Sequence, residues 1–383
     1  MEKQEFRRIV VKIGSSTLTH TGGKLNLRHI DHLLRQLVDL KNMDKEVLLV
    51  TSGAIGAGMG EMGLKEKPRL IPMQQAAAAV GQGYLIGIYN KLLGEYGEKG
   101  AQVLLTASDL EDRTRYLNAF NTLLTLLEYG FIPVVNENDT VVTEEIKFGD
   151  NDTLSARVAG MIEADLLINL TSVEGVYNGD PESEDDRTQV IHRIEGYSPE
   201  LEQYVSSAIT RLGTGGMYTK LKAAEIAVNS GITMVIGPGA QENIILKLVD
   251  MLEGTPNYSL GTTFLPENDS LSKRKQWLYY NLSPAGSLQI DRGAEKALIS
   301  GGKSLLPGGV VETSGNFSEG ELVKIINSKS EEIGRGLVNY SAADIEEIKG
   351  CHSREIYSRL GYINKEEVIH RDNLVIKGVN HEY

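Results

Sequence analysis

Several short stretches of this chain concentrate residue types that can handle charge. Phe148-Gly-Asp-Asn-Asp-Thr-Leu-Ser155 places Gly149, Asp150, Asn151 and Asp152 in consecutive positions. The next residues read as a helix, because Leu154, Val158 and Ile162 share one face. The stretch thus offers a turn, a helix N-cap and two carboxylates at a helix mouth. It reads either as a well-capped helix or as a site. Asn136-Glu-Asn-Asp139 lies upstream, after a strand-like run. Two lysines lie in or beside glycine-containing turns. Lys220 closes Gly213-Thr-Gly-Gly-Met-Tyr-Thr-Lys220, which is either a flexible linker or a phosphate cradle. A cradle is favoured because free N–H groups and the helix dipole at a helix mouth attract anions. Lys12 interrupts an apolar strand. It is either an outward-facing residue or a cation at the crevice where open α/β sheets bind ligands. Two lysines beside a cluster of acids suit phosphoryl transfer, in which positioning and charge neutralisation carry most of the catalysis.

Those residues need elements to hold them. Arg8–Gly14 predicts a buried strand running into a small-residue turn, residues 26–42 an amphipathic helix, and Glu46–Thr51 a second strand. Ser52–Gly60 reads as a small-residue loop that a ligand could approach closely. Residues 72–97 predict a long helix whose Gln74–Ala79 run permits tight packing. Further strands are expected at 101–106, 131–135, 164–171, 190–194, 233–236 and 261–264, and further helices at 114–128, 155–162, into residue 229 and at 243–253. Val141–Ile146 reads as part of a hairpin over the site. This alternation implies an α/β fold with an open, mostly parallel sheet sandwiched by helices.

The texture changes after a boundary near Pro266–Arg274. The expected organisation is a domain at 1–266, a linker at 267–275, and a small β-rich domain with a C-terminal tail at 276–383. Val310–Glu312, Leu322–Ile326 and Gly336–Asn339 read as strands of a small barrel, and Gly293–Ile299 as a short helix.

The chain has 383 residues and a net charge of −13. Acids and bases balance after residue 272, so the excess acid lies in the larger domain. Neither part is a basic nucleic-acid surface. A phosphate ligand must therefore be held by local cations and backbone N–H groups. One cysteine, Cys351, excludes an internal disulfide framework and argues against a cysteine metal cage. The apolar runs are strand-sized and the N-terminus is charged, so neither a membrane span nor a signal peptide is expected, and a cytoplasmic location is the simplest reading. The glycines at 56, 58 and 60 do not form a dinucleotide fingerprint, and no lysine directly follows the last glycine of 213–216 as a P-loop requires. No nucleophilic triad is visible. Trp277 reads as a core or interface anchor, His352 and His370 as surface or satisfied polar residues, and 182–187 as a solvated acidic loop.

Taken together, Val10-Val-Lys-Ile-Gly-Ser-Ser16, Leu49-Val-Thr-Ser-Gly-Ala-Ile-Gly56, Asn136–Asp139, Phe148–Asp152 and Gly213–Lys220 resemble the amino acid kinase family, and within it the members that phosphorylate glutamate. Roughly the last hundred residues resemble a PUA domain. The resemblance implies ATP-dependent phosphorylation of the γ-carboxylate of L-glutamate to glutamyl 5-phosphate, the first step of proline biosynthesis. Lys12 and Lys220 would neutralise the transferring group, and Asp152 would hold both lysines. Ser52, Asp139 and Asn151, with Asp150 and Asn136, would bind glutamate. Lys12, Gly14, Thr171, Ser172, Thr214, Gly215, Gly216, Met217 and Lys220 would contact ATP. Relatives often carry an acid where this chain has Ser172. Mg²⁺ would bridge the ATP phosphates without a dedicated protein cage. The family also implies dimers or tetramers and feedback inhibition by proline at or near the glutamate site. Alternatives are another acceptor within the family (acetylglutamate, aspartate, carbamate or a nucleoside monophosphate) or RNA binding through the C-terminal domain.

Overall fold

A computed structural model describes residues 5–20, 24–141, 151–179, 188–201, 216–254, 259–266 and 284–376. The chain divides into two compact units, Met1–Glu267 and Asn268–Tyr383.

The first unit is built on an eight-stranded sheet. Its strands are β1 (Arg8–Ile13), β2 (Glu46–Val50), β3 (Gly100–Leu105), β4 (Ile132–Glu137), β5 (Leu166–Thr171), β6 (Arg193–Glu195), β7 (Thr233–Pro238) and β8 (Thr262–Leu265). The order is β3-β4-β2-β1-β5-β7-β8-β6, and every pairing is parallel except β7 with β8. From β1 the chain builds β2, β3 and β4 on one side, then moves to β5 on the other. The β1–β5 junction is therefore a topological switch point, where open α/β sheets place their ligands. Side chains alternate across these strands. Ile9, Val11 and Ile13 of β1 and Leu166, Ile168 and Leu170 of β5 join one core with helices Leu27–Asn42, Ile71–Glu95 and Ile244–Leu252. Lys12 and Asn169 consequently share the opposite face, in register on neighbouring strands.

Some local readings change. Ser52–Gly60 is not a loop: Ala54–Glu61 is a helix packed against Ile71–Glu95. Its glycines are packing residues. A Cβ on Gly58 would sit 1.7 Å from the carbonyl oxygen of Ala77, and one on Gly81 would sit 1.8 Å from that of Ala54. Ala77 and Ala78 are buried at this crossing, as the small-residue run of the long helix leads one to expect. Gly58→Ala should therefore destabilise the fold by about 3 kcal/mol or more, since neither backbone can yield. An unchanged urea midpoint for this variant would contradict that packing.

The helix expected from Ser155 begins earlier, spanning Asn151–Met161, so Asn151 and Asp152 occupy its first turn and not a preceding cap. The strand expected at 190–194 is shorter and shifted, at Arg193–Glu195; Val190 makes only an isolated bridge with Tyr177. Residues 142–146 of the expected hairpin, Asp150, the acidic loop 182–187, Thr214, Gly215, the linker 267–275 and Trp277 lie outside the described residues.

The second unit is a five-stranded sheet of order β10-β9-β11-β12-β13. Its strands are β9 (Gly286–Ile290), β10 (Val310–Gly315), β11 (Leu322–Ile326), β12 (Glu332–Leu337) and β13 (Leu374–Ile376). Helix Arg292–Gly301 is capped by Asp291. Two sequence readings are corrected here. The strand expected at Gly336–Asn339 ends at Leu337. Of the expected tail, the described residues up to Ile376 belong to the domain: β13 pairs antiparallel with β12, and Cys351, Ile356, Val368 and Ile369 are buried in its core, whereas 377–383 lie outside the described residues. No helix among the described residues is long and apolar enough to cross a membrane.

Candidate active site

The carboxyl ends of the central strands converge on Asp152. This side chain is buried at the mouth of helix Asn151–Met161 and receives donors on both oxygens. Lys12 of β1 pairs with Oδ1, and Asn169 of β5 donates to the same oxygen at 2.9 Å. Lys220 Nζ donates to Oδ2 at 3.0 Å, and Thr219 Oγ1 donates to it at 2.8 Å. Lys220 and Thr219 come from helix Gly216–Asn229, which packs against the Asp152 helix. Lys220 also donates to the carbonyl of Gly216 at 3.0 Å, across its own first turn.

The electrostatics follow from burial. Lys12, Lys220 and Asp152 are all largely withdrawn from water. Burial alone would push the Asp152 carboxyl up. The two lysine charges, with hydrogen bonds from Lys12 and Asn169, outweigh it and hold the group well below the usual carboxylate range. A depressed carboxyl contributes stability above its unfolded pKa of about 3.9 and loses it only as the pH falls through the folded value. Asp152 is thus an anion at any neutral pH. One anion between two cations leaves a local charge of +1 in a chain whose net charge is −13. A desolvated positive centre of this kind can stabilise charge on a phosphoryl group without reorganising.

A second group of predicted residues lies beside the first. Asn151 Nδ2 donates to Ser52 Oγ at 3.1 Å, linking the helix mouth to the end of β2. Asn136 is buried in β4; its Oδ1 accepts from the Glu137 amide at 2.9 Å. Asn136 Nδ2 and Asn151 Oδ1 are buried without a hydrogen-bond partner among the described residues. Native proteins rarely leave such groups unmatched, so a donor and an acceptor here suit a small polar ligand. Burial raises the Asp139 carboxyl, partly offset by the charge of Lys67.

The predicted nucleotide contacts spread along the same edge. Gly14 follows β1, and its amide donates to Leu170 O at 3.2 Å. Thr171 ends β5 and is buried, whereas Ser172 beyond it is exposed. Gly216 and Met217 open the helix that carries Lys220. The structure thus gathers Lys12, Asp152 and Lys220 directly and links Ser52 to Asn151. Asp150, Thr214 and Gly215 are not described.

Sequence reasoning missed Asn169 and Thr219 as partners of Asp152. A signal existed for Asn169: an amide within the apolar run Leu166-Leu-Ile-Asn-Leu170 needs a buried partner. Thr219 carried none beyond its place before Lys220.

Residues 7–238 match the amino acid kinase family, and residues 286–360 match the PUA domain. A glutamate 5-kinase from Caldanaerobacter subterraneus subsp. tengcongensis is 52% identical over 369 residues, covering 96% of this chain and 97% of its own. One from Moorella thermoacetica is 48% identical over 374 residues, covering 98% of this chain and 97% of its own. One from Citrifermentans bemidjiense is 43% identical over 373 residues, covering 97% and 98%.

Proposed function

The chain belongs to the amino acid kinase family, and from that premise we propose glutamate 5-kinase activity: transfer of the γ-phosphoryl group of ATP to the γ-carboxylate of L-glutamate, the first step of proline biosynthesis. The observation that carries the chemistry is one buried carboxylate holding two buried lysines on its separate oxygens. A glutamate γ-carboxylate, with a reference pKa of about 4.3, is already ionised and needs no general base. The obstacle is repulsion between that anion and the triphosphate. Lys12 and Lys220 neutralise the phosphoryl oxygens as charge spreads over them, and Asp152 organises the lysines and takes no proton. The carboxylate oxygen forms the new bond to phosphorus as the bond to the β-phosphate oxygen breaks, so ADP leaves with the electron pair.

Glutamate is held by Ser52, Asn151, Asn136 and Asp139, with Asp139 reading the α-ammonium; Asp150 belongs to the same group. Gly14, Thr171, Ser172, Thr214, Gly215, Gly216 and Met217 contact the nucleotide. Three His, Cys, Asp or Glu side chains do not cluster as a metal cage among the described residues. Mg²⁺ carried largely by the triphosphate would supply further charge neutralisation beside Lys12 and Lys220. Proline shares the backbone groups of glutamate and inhibits by competing for the Asp139 end of the site. The active form is a cytoplasmic homo-oligomer.

Release of ADP should depend on L-glutamate and be absent with N-acetylglutamate or aspartate. ADP release with acetylglutamate alone would overturn the assignment of the acceptor. Asp139→Asn should raise the KM for glutamate about tenfold or more with a smaller effect on kcat, since a charge-assisted hydrogen bond contributes about 1.5–3 kcal/mol. Steady-state titration with glutamate checks this, and an unchanged KM would remove Asp139 from the binding site.

A further inference from the structure

We infer that Asn169 is a positioning residue for phosphoryl transfer, fixing the Asp152 carboxylate so that its two lysines stay divided between its two oxygens. The inference rests on the kinase reading above. Asn169 is completely buried on β5, and its neighbours in the strand are apolar and equally buried. It stands in register with Lys12 of β1 on the same face of the sheet. Its Nδ2 donates to Asp152 Oδ1 at 2.9 Å, the oxygen that also holds Lys12.

The arrangement around Asp152 is symmetrical in kind. Each oxygen receives at least one ammonium and one neutral donor: Lys12 with Asn169 on Oδ1, and Lys220 with Thr219 on Oδ2. A carboxylate held only by two flexible lysines could turn, and both ammonium groups could gather on one oxygen. A neutral donor on each oxygen fixes the carboxylate plane. The Asn169 donor comes from the middle of a sheet, so it is the more rigid of the two. Misplacing a charged group by about 1 Å can cost about a hundredfold in rate.

The Asn169 amide also carries an open acceptor. Its Oδ1 is buried with no hydrogen-bond partner among the described residues. An apolar side chain in this strand would avoid that desolvation cost.

Two variants separate positioning from structure. In Asn169→Val, kcat should fall about tenfold or more while the KM values for ATP and glutamate stay within about threefold. In Asn169→Asp, the new group cannot donate to Asp152 when ionised but can when protonated. The ratio of variant to parent kcat should therefore climb as the pH falls. Glutamate-dependent turnover of the parent is measured first, and its absence would overturn the kinase reading itself. With an active parent, Asn169→Val turnover within twofold of the parent would overturn the inference. So would a flat pH ratio for Asn169→Asp.

Discussion

Replacing Asp152 with Asn lowers kcat by about two to three orders of magnitude while ATP binding stays within about threefold. Asparagine keeps the shape of the side chain but removes its charge and turns one acceptor into a donor. Lys12 and Lys220 now occupy the same buried space without a counter-charge. At least one must swing away or lose its proton, and either change dismantles the positive centre meant for the phosphoryl group. In the proposed arrangement Gly14, Thr171, Ser172 and the 214–217 segment hold most of the nucleotide, so its affinity should fall far less than turnover. Stability falls as well: breaking a buried ion pair from one side typically costs about 3–5 kcal/mol. Initial-rate kinetics beside calorimetric nucleotide titration measures both quantities. Turnover within twofold of the parent would remove Asp152 from the mechanism.

Replacing Lys12 with Met produces a comparable loss of kcat, about two to three orders of magnitude, with a smaller loss of stability. Methionine fills the volume of the lysine stem, and the remaining Lys220–Asp152 pair is electrically balanced. The two substitutions thus differ in a way that ordinary damage to the core would not produce: similar rates, but a larger shift in unfolding midpoint for Asp152→Asn. Because both residues act as one unit, the double variant should be scarcely slower than either single one. Multiplicative losses would show that the lysine and the carboxylate act independently.

Much of the larger unit can be read from the chain because strand and helix alternate there with clear periodicity. Lys12 and Lys220 stand out because a lysine is anomalous in a buried strand or beside a glycine run. Asp152 stands out because acids crowd the start of an apolar helix. What local pattern could not show was which residues meet. Asn169 touches Asp152 only because β5 crosses over to lie beside β1. Ser52–Gly60 looked like a ligand loop because glycine signals close approach without saying what approaches; here it is a second helix. Leu374–Ile376 looked like part of a tail because β13 has only three residues, and its partner β12 lies nearly forty residues away in sequence.

The central claim is that this site makes an acyl phosphate on glutamate, and hydroxylamine trapping tests it most directly. The protein is mixed with ATP, Mg²⁺, hydroxylamine and one acid at a time. Hydroxamate should accumulate with L-glutamate, fail with acetylglutamate and aspartate, and nearly vanish in Asp152→Asn. Glutamate-dependent loss of ATP without hydroxamate, or hydroxamate formed equally well by the Asp152 variant, would contradict the account.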